Sequence, residues 1–439
     1  MNSLMPSPTG SAPGLPEHLE HALQPRLVRA VLDVRWSWPA HRGLRLEGVK
    51  VHRLFPRGRD GHVIKYQVTL VGDGGTTEMD LFGELVAGDP FVARQRVLEK
   101  LRKSRRKQID RQDDSDALAA VPELGMLVRV PGYDERLPGL KLLHQPRQAR
   151  RFIERRLGEE PDAGSLSFRL LNHRLGKRCI LRLAWRRGGR PRSVVVRCLK
   201  EKDERHRRNQ AHMTALRQRG FDGAIRVPAV VGLDDDLHLI AIEEVPGELL
   251  GHSRRWPLAE QAALAGAALG KLHATAAWLK ERYGVEQELT MLADWVALAT
   301  RLRPELAKAL DLSHRRLVPA LSACAGRPVR LAHRDYYNKQ LLFDGHTTTL
   351  IDFDTLCLAD PALDLGNYLA HRDLARLVGE PWDEGEEGAF LEAYARYSSL
   401  PPLPALEAWR LAARLRLACL YATHSGWEGI PERLLALDP

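Results

Sequence analysis

The chain has 439 residues, of which 44% are hydrophobic and 28% charged, enough for two or three globular domains at about 150 residues each. Lys and Arg exceed Asp and Glu by 66 to 56, a net charge of +10 that raises nucleic acid or an anionic surface as partners. No apolar run has the length of a membrane span, and the five cysteines lack C-x-x-C spacing, which excludes a zinc site of that type and fits a reducing cytoplasm.

Residues 1–15, MNSLMPSPTGSAPGL, are small and rich in Pro and Ser, with no basic start leading into an apolar stretch. They are expected to form a disordered tail, reaching to about residue 20, rather than a signal peptide. Residues 51–85 predict three strands joined by a basic Gly turn and a Gly-Gly turn, then a helix over 91–106. The same order returns at residues 168–200, followed by a helix over 204–218. Shared His-Arg-Leu, Gly-Arg or Gly-Lys and Gly-Gly elements suggest a duplicated unit, with an unrelated β-meander as the alternative. Gly83 then stands where the second copy has a charged residue. The densest basic run, 94–111, has Val97, Leu98 and Leu101 at helical spacing and no interleaved aromatic residue. It reads as a solvated helix face, not a stacking platform for nucleic acid. Residues 121–143, with three prolines, read as an extended connector, and a domain boundary falls near 148–158. Further on come a strand after Pro228, a turn at 234–236 and an apolar strand ending in Glu-Glu-Val-Pro-Gly. Helices are predicted over 258–278, over 289–303 where Pro304 ends the pattern, over 313–323, and past Tyr368 over 387–397 and 405–421.

Residues 331–368, LAHRDYYNKQLLFDGHTTTLIDFDTLCLADPALDLGNY, carry the chemistry. A polar loop with His333, Arg334, Asp335 and Gln340 feeds an apolar run, an Asp344-Gly345 turn and a second apolar run into Asp352. This hairpin brings Asp335, Gln340 and Asp352 to the same end of two paired strands. An acid to orient a hydroxyl and an oxygen cage for magnesium between phosphates are what phosphoryl transfer needs. Taken singly, each residue is an ordinary turn or cap residue; their joint spacing points to a site.

The pattern H-x-D, an amide seven residues after the His, I-D-F and D-P-x-x-D-L resembles the aminoglycoside phosphotransferase and choline kinase group of protein-kinase-like enzymes. That group usually spells its loop H-G-D-x-x-x-x-N; here the last position is Gln340. The resemblance spans about residues 165–421. It implies an α+β bilobal fold, an antiparallel-sheet small lobe and a mostly helical large lobe, with an extra amino-terminal α+β domain in front. It implies ATP and Mg²⁺ as cofactors, Asp335 and His333 as catalytic residues, and Gln340 and Asp352 as metal ligands. Asp364 should fix the catalytic loop, Asp360 should cap a turn, and Asp354 is either an added ligand or an exposed acid. VVVRCLK overlays the third strand of kinases, so Arg197, or else Lys200, would pair with the phosphates. Glu243, Glu244 and Val245 would form the adenine-binding hinge through their backbone. The helix after that strand lacks the usual glutamate, with Gln210 the nearest polar substitute. His273 reads as a packing residue. The acidic residues Asp383, Glu384, Glu386 and Glu387 could face a cationic acceptor, and Trp382 and Trp427 could stack on one.

These readings give a tail over 1–20, an amino-terminal domain over 21–150 that is a possible degenerate small-lobe copy, a small lobe over 151–245 and a large lobe over 246–439. The expected function is ATP- and Mg²⁺-dependent transfer to a hydroxyl of a small molecule such as an aminoglycoside, sugar or amino alcohol. The expected partners are that acceptor and the nucleotide, without nucleic acid or a membrane span. A pseudokinase serving as nucleotide sensor or scaffold is the alternative. Neither the acceptor nor the oligomeric state is legible.

Overall fold

The computed structural model describes residues 17–57, 61–105 and 116–437. The expected tail up to residue 16 and the end of the basic run beyond Arg105 lie outside them, whereas residues 17–20, also expected as tail, are helical with Leu19 buried. The chain divides into two compact units, one running to Arg94 with Leu118–Arg129 added, the other made of Gln95–Ala117 and Val130 onward.

In the first unit, helices α1 (Glu17–Ala22) and α2 (Pro25–Arg35) precede the meander β1 (Arg45–Arg57), β2 (Gly61–Gly72) and β3 (Gly75–Leu85). Helix α3 (Pro90–Arg105) follows, then the hairpin β4 (Leu118–Val121) and β5 (Met126–Arg129). The sheet order is β1-β2-β3-β5-β4. Residues 121–129 are therefore largely buried strand, not connector: Pro122 starts a tight turn, Gly125 takes the left-handed conformation at φ +54°, and Val121, Met126, Leu127 and Val128 are buried. In α3, Val97, Leu98 and Leu101 are buried while Arg96, Lys100, Arg102 and Lys103 are exposed, as their spacing predicts.

In the second unit, α4 (Lys141–His144) and α5 (Pro146–Phe152) precede a meander of β6 (Ser167–Arg174), β7 (Arg178–Arg187) and β8 (Arg190–Leu199). Helix α6 (Arg205–Gln218) and the short β9 (Ile225–Arg226) follow, then a hairpin of β10 (Val230–Asp234) and β11 (Leu239–Glu243). The order β10-β11-β8-β7-β6, read backwards, repeats the connectivity of the first sheet. Counting from the two-residue turns, Gly75 matches Arg190 and Phe82 matches Arg197, so the counterpart of the charged residue is the buried Phe82 and not Gly83. Strict alternation divides the second sheet: Cys179, Leu181, Leu183, Val194, Val196 and Cys198 face one core. Leu137, Leu140, Leu142, Ala149, Phe152 and Ile153 cover that face. The composition-based boundary near 148–158 thus falls inside a packed element, because an apolar sheet face must be covered by the chain that leads into it. Arg178, Ile180, Val195 and Arg197 project from the other face.

The large lobe begins with β12 (Glu248–Leu249) and helices α7 (Leu258–Ala274), α8 (Val285–Leu302) and α9 (Ala307–Ser322). It continues through β13 (Arg330–Ala332), the hairpin β14 (Leu341–Phe343) and β15 (Thr348–Leu350), and β16 (Cys357–Ala359). It ends in α10 (Pro361–Leu377), α11 (Glu386–Ala395), α12 (Leu403–Tyr421) and α13 (Ile430–Leu435). Its core joins Leu331, Tyr336, Leu341 and Phe353 of the loop region to Leu269, Leu272, Leu365, Leu369 and Phe390 of the helices.

Helix α7 meets α11 so closely that only glycine fits. A Cβ on Gly266 would lie 2.0 Å from the carbonyl oxygen of Phe390, and one on Gly270 would lie 2.6 Å from that of Tyr394. Backbone cannot rotate away as a side chain can. Overpacking costs ~1–3 kcal/mol, more than the gain of about 1 kcal/mol in helix propensity. Gly266→Ala should therefore lower the urea midpoint; an unchanged or raised midpoint would show that α7 and α11 are not in this contact.

Candidate active site

The loop between β13 and β14 is held by a single carboxylate. Asp364, fully buried in the first turn of α10, accepts the backbone N–H of His333 at 2.7 Å and of Arg334 at 2.6 Å. His273 Nε2 lies 3.1 Å from the same carboxylate, and its Nδ1 is 2.9 Å from the hydroxyl of Tyr394. These bonds hold Arg334 at φ +69°, a backbone conformation that residues with a side chain rarely adopt. The Arg334 guanidinium rests 3.6 Å from the centre of the Tyr283 ring. Asp360 caps α10 by accepting the N–H of Ala362 at 3.0 Å.

His333 is buried and its Nε2 lies 2.9 Å from the carbonyl oxygen of Ile351, tying the loop to the segment that carries Asp352. Its ring packs on those of Tyr336 and Phe353, with centres 5.8 and 5.6 Å apart. The hairpin closes through Asp344, which accepts from the N–H groups of His346 and Thr347 at 2.9 and 2.8 Å. At its open end the Ile351 N–H donates to the Gln340 carbonyl at 3.0 Å. Gln340 reaches Asp335 with its side-chain nitrogen 3.3 Å from Oδ2. Asn338 instead packs against Gly251, where a Cβ would lie 2.0 Å from Nδ2.

Asp352 sits at φ +65° and faces two guanidiniums. Arg197 donates to its Oδ1 at 2.7 Å, and Arg178 lies 3.3 Å from its Oδ2. Asp354 is bound by Arg178 at 2.7 Å, by Arg197 at 2.8 Å and by Asn209 of α6 at 2.5 Å. Asp354 is thus neither an exposed acid nor on a common strand face with Asp352; a tight turn over Phe353–Thr355 carries it. The missing helix glutamate is replaced by this arrangement, and the helix contributes Asn209, not Gln210. Lys200 lies beyond the end of β8 and is exposed, whereas Arg197 and Arg178 both meet Asp352.

Burial disfavours the charge on both acids, yet they titrate in opposite directions. For Asp352 the neighbouring Arg197 and Arg178 outweigh burial and hold its carboxyl well below the usual range. For Asp335 burial prevails over His333, Asp352 adds to it, and the carboxyl is pushed up.

At the expected hinge, the Glu243 N–H donates to the Ala229 carbonyl at 2.9 Å, so that group is already used. The Glu244 carboxylate takes a forked bond from Arg182 at 2.7 and 2.8 Å, while Val245 follows in the link to β12. Arg197, Asn209, Ile242, Ile351, Asp352 and Phe353 line a cavity that mixes apolar and charged side chains. The acidic cluster is already neutralised in part: Glu386 pairs with the buried Arg372 at 2.7 Å and Glu387 with Arg410 at 3.1 Å. Arg376 lies 5.0 Å over Trp382, and Trp427 packs on His424 with ring centres 4.5 Å apart.

The model of the phosphotransferase enzyme family matches residues 178–411, more than half of the chain. The chain belongs to this family. Being a member, it is a phosphotransferase. No curated protein sequence matches it. Among solved structures, a spectinomycin phosphotransferase in complex with ADP and spectinomycin matches at 14% identity over 67% of this chain and 94% of that one, with a TM-score of 0.49. A microcompartment-associated aminopropanol kinase matches at 17% identity over 66% and 94%, with a TM-score of 0.48. An ethanolamine kinase of Plasmodium vivax matches at 14% over 62% and 82%, with a TM-score of 0.42. Among the described residues of this phosphotransferase no helix is long and apolar enough to cross a membrane.

Sequence reasoning missed Arg178 and Asn209. Arg178 was within reach: the two-residue Gly188-Gly189 turn sets Ile180 opposite Arg197, and alternation then puts Arg178 on the same face. Asn209 had no signal, since either of two adjacent polar residues could face the strand.

The upward shift at Asp335 has a consequence for stability. A carboxyl whose folded pKa is raised contributes stability that is full below the unfolded pKa and lost as pH rises through the folded one. At neutral pH the ionised Asp335 therefore opposes folding. In the phosphotransferase Asp335→Asn should raise the urea midpoint at pH 7.5, with the gain shrinking toward pH 4; a lowered midpoint would mean that Asp335 serves the fold instead.

Proposed function

We propose that this site transfers the terminal phosphoryl group of ATP, with Mg²⁺, to a hydroxyl of a small molecule such as an aminoglycoside, sugar or amino alcohol. One observation carries the reading: Gln340 meets Asp335 at 3.3 Å and takes the Ile351 N–H next to Asp352, an acid faced by two guanidiniums, while burial pushes the Asp335 carboxyl up. Opposed environments of this kind divide roles between acids. Asp335 orients the acceptor hydroxyl and takes its proton as the oxygen bonds to phosphorus and the bond to ADP breaks. His333 and Asp364 position the loop, and Arg197 offsets phosphate charge. The backbone around Glu243, Glu244 and Val245 borders the adenine.

The residues present fit magnesium. Asp352 and Gln340 offer oxygen donors, which suit a hard cation. Among the described residues no three His, Cys, Asp or Glu gather into a metal cage, and a site completed by phosphates and water needs none. When bound, the ion would neutralise charge between the phosphates.

The amino-terminal unit is, on this reading, a degenerate copy of the small lobe. Its support is the shared strand order and the helix after the third strand. With Phe82 in the place of Arg197, that copy offers no phosphate cation of its own.

ATP at 100 times its Kd should stabilise the wild type by ~2.7 kcal/mol, and only with Mg²⁺. Thermal unfolding of Asp352→Ala should lose the magnesium dependence; no shift in the wild type would end the nucleotide assignment. Asp335→Ala should cut turnover by roughly 10²–10⁴. Because the base must be unprotonated, kcat/KM of the wild type should fall on the acid side at a pH above the ordinary aspartate range of about 3.9. Unchanged turnover in the variant would remove Asp335 from the chemistry.

A further inference from the structure

The turn that joins the first two strands of the second sheet is tied to another part of the chain. Between β6 and β7, the N–H of Gly176 donates to the carboxylate of Asp134. His173, just before it, lies 3.4 Å from the same carboxylate and accepts the Gly132 N–H at 3.2 Å. Asp134 is 2% exposed, so this is a built contact that holds the turn by its glycine amide. A turn tied down in this way has that amide pointing at a carboxylate and not at a nucleotide. That amide gives a phosphate chain no donor, and side chains are the other source of positive charge.

Two guanidiniums stand where that charge would fall. Arg197 and Arg178 each contact both Asp352 and Asp354, Arg197 at 2.7 and 2.8 Å and Arg178 at 3.3 and 2.7 Å. Arg178 opens β7 directly after the turn, and its side chain is 18% exposed. A guanidinium fork fits phosphate oxygens as well as carboxylate oxygens. We infer that Arg178 is a second phosphate-binding residue, and that Arg178 and Arg197 exchange the carboxylates of Asp352 and Asp354 for the phosphate oxygens of the nucleotide. The inference rests on the nucleotide reading above. The exchange uncovers Asp352, whose two oxygens are otherwise taken by arginine, and so ties cation binding to nucleotide binding.

The test is calorimetric titration of the full chain with ATP and with AMP, each with Mg²⁺, in the wild type, Arg178→Ala and Arg178→Gln. The glutamine variant keeps a donor toward Asp354 and stands in if the alanine variant fails to fold. Loss of a charged hydrogen bond corresponds to about 10–100-fold, so ATP affinity should fall by roughly tenfold or more while AMP affinity stays within about twofold. Equal ATP affinity in wild type and folded variant, or equal loss for ATP and AMP, overturns the role of Arg178 and leaves the nucleotide site standing. Absence of ATP binding in the wild type overturns both.

Discussion

The buried carboxylate of Asp364 is the constraint on which the site depends. It accepts two successive N–H groups of the catalytic loop and meets His273, which Tyr394 holds in turn. Its place in the first turn of α10 favours its negative charge, because the free N–H groups of a helix start point toward it. From that anchor the geometry propagates. The loop's left-handed residue aims Asp335, His333 ties the loop to Ile351, and the backbone bond from Ile351 to Gln340 sets where Asp352 emerges. A neutral residue at Asp364 would leave two buried N–H groups with half their attraction and the strained Arg334 without its restraint.

The second organising feature is a balance of charge. Asp352 and Asp354 lie in a partly desolvated cleft, where an unpaired carboxylate is costly, and Arg178 and Arg197 compensate both. Asp335, a short way along the chain, is given no guanidinium at bonding distance among the described contacts and keeps a raised affinity for protons. One acid is thereby suited to hold charge and the other to move a proton.

The two sheets with the same strand order put the functional asymmetry in relief. In one, alternation presents Arg178, Ile180, Val195 and Arg197 on a single face; in the other, the position of Arg197 belongs to the buried Phe82, and the nearby Arg129 is consumed by Glu84 at 2.7 Å. Like topology does not carry like chemistry; that depends on which side chains the alternation presents.

The family was legible in the sequence through the resemblance of residues 331–368, and several elements were legible because they rest on local rules. Strand alternation, glycine turns, the Asp344 turn and the spacing of His333, Asp335, Gln340 and Asp352 need only a few neighbouring residues to be read. Three things were decided by tertiary structure alone. Residues 137–143, the end of the segment read as connector, cover a sheet face, since what a segment buries depends on the partner it meets. Arg197 and Arg178 share the carboxylates of Asp352 and Asp354, far along the chain, where sequence sought a helix glutamate. Asn209 rather than Gln210 faces that pair because rotation of α6 about its axis is set by the packing of Met213 and Leu216 into the core. Each of these turns on contacts between residues distant in sequence, and local propensity carries no information about them.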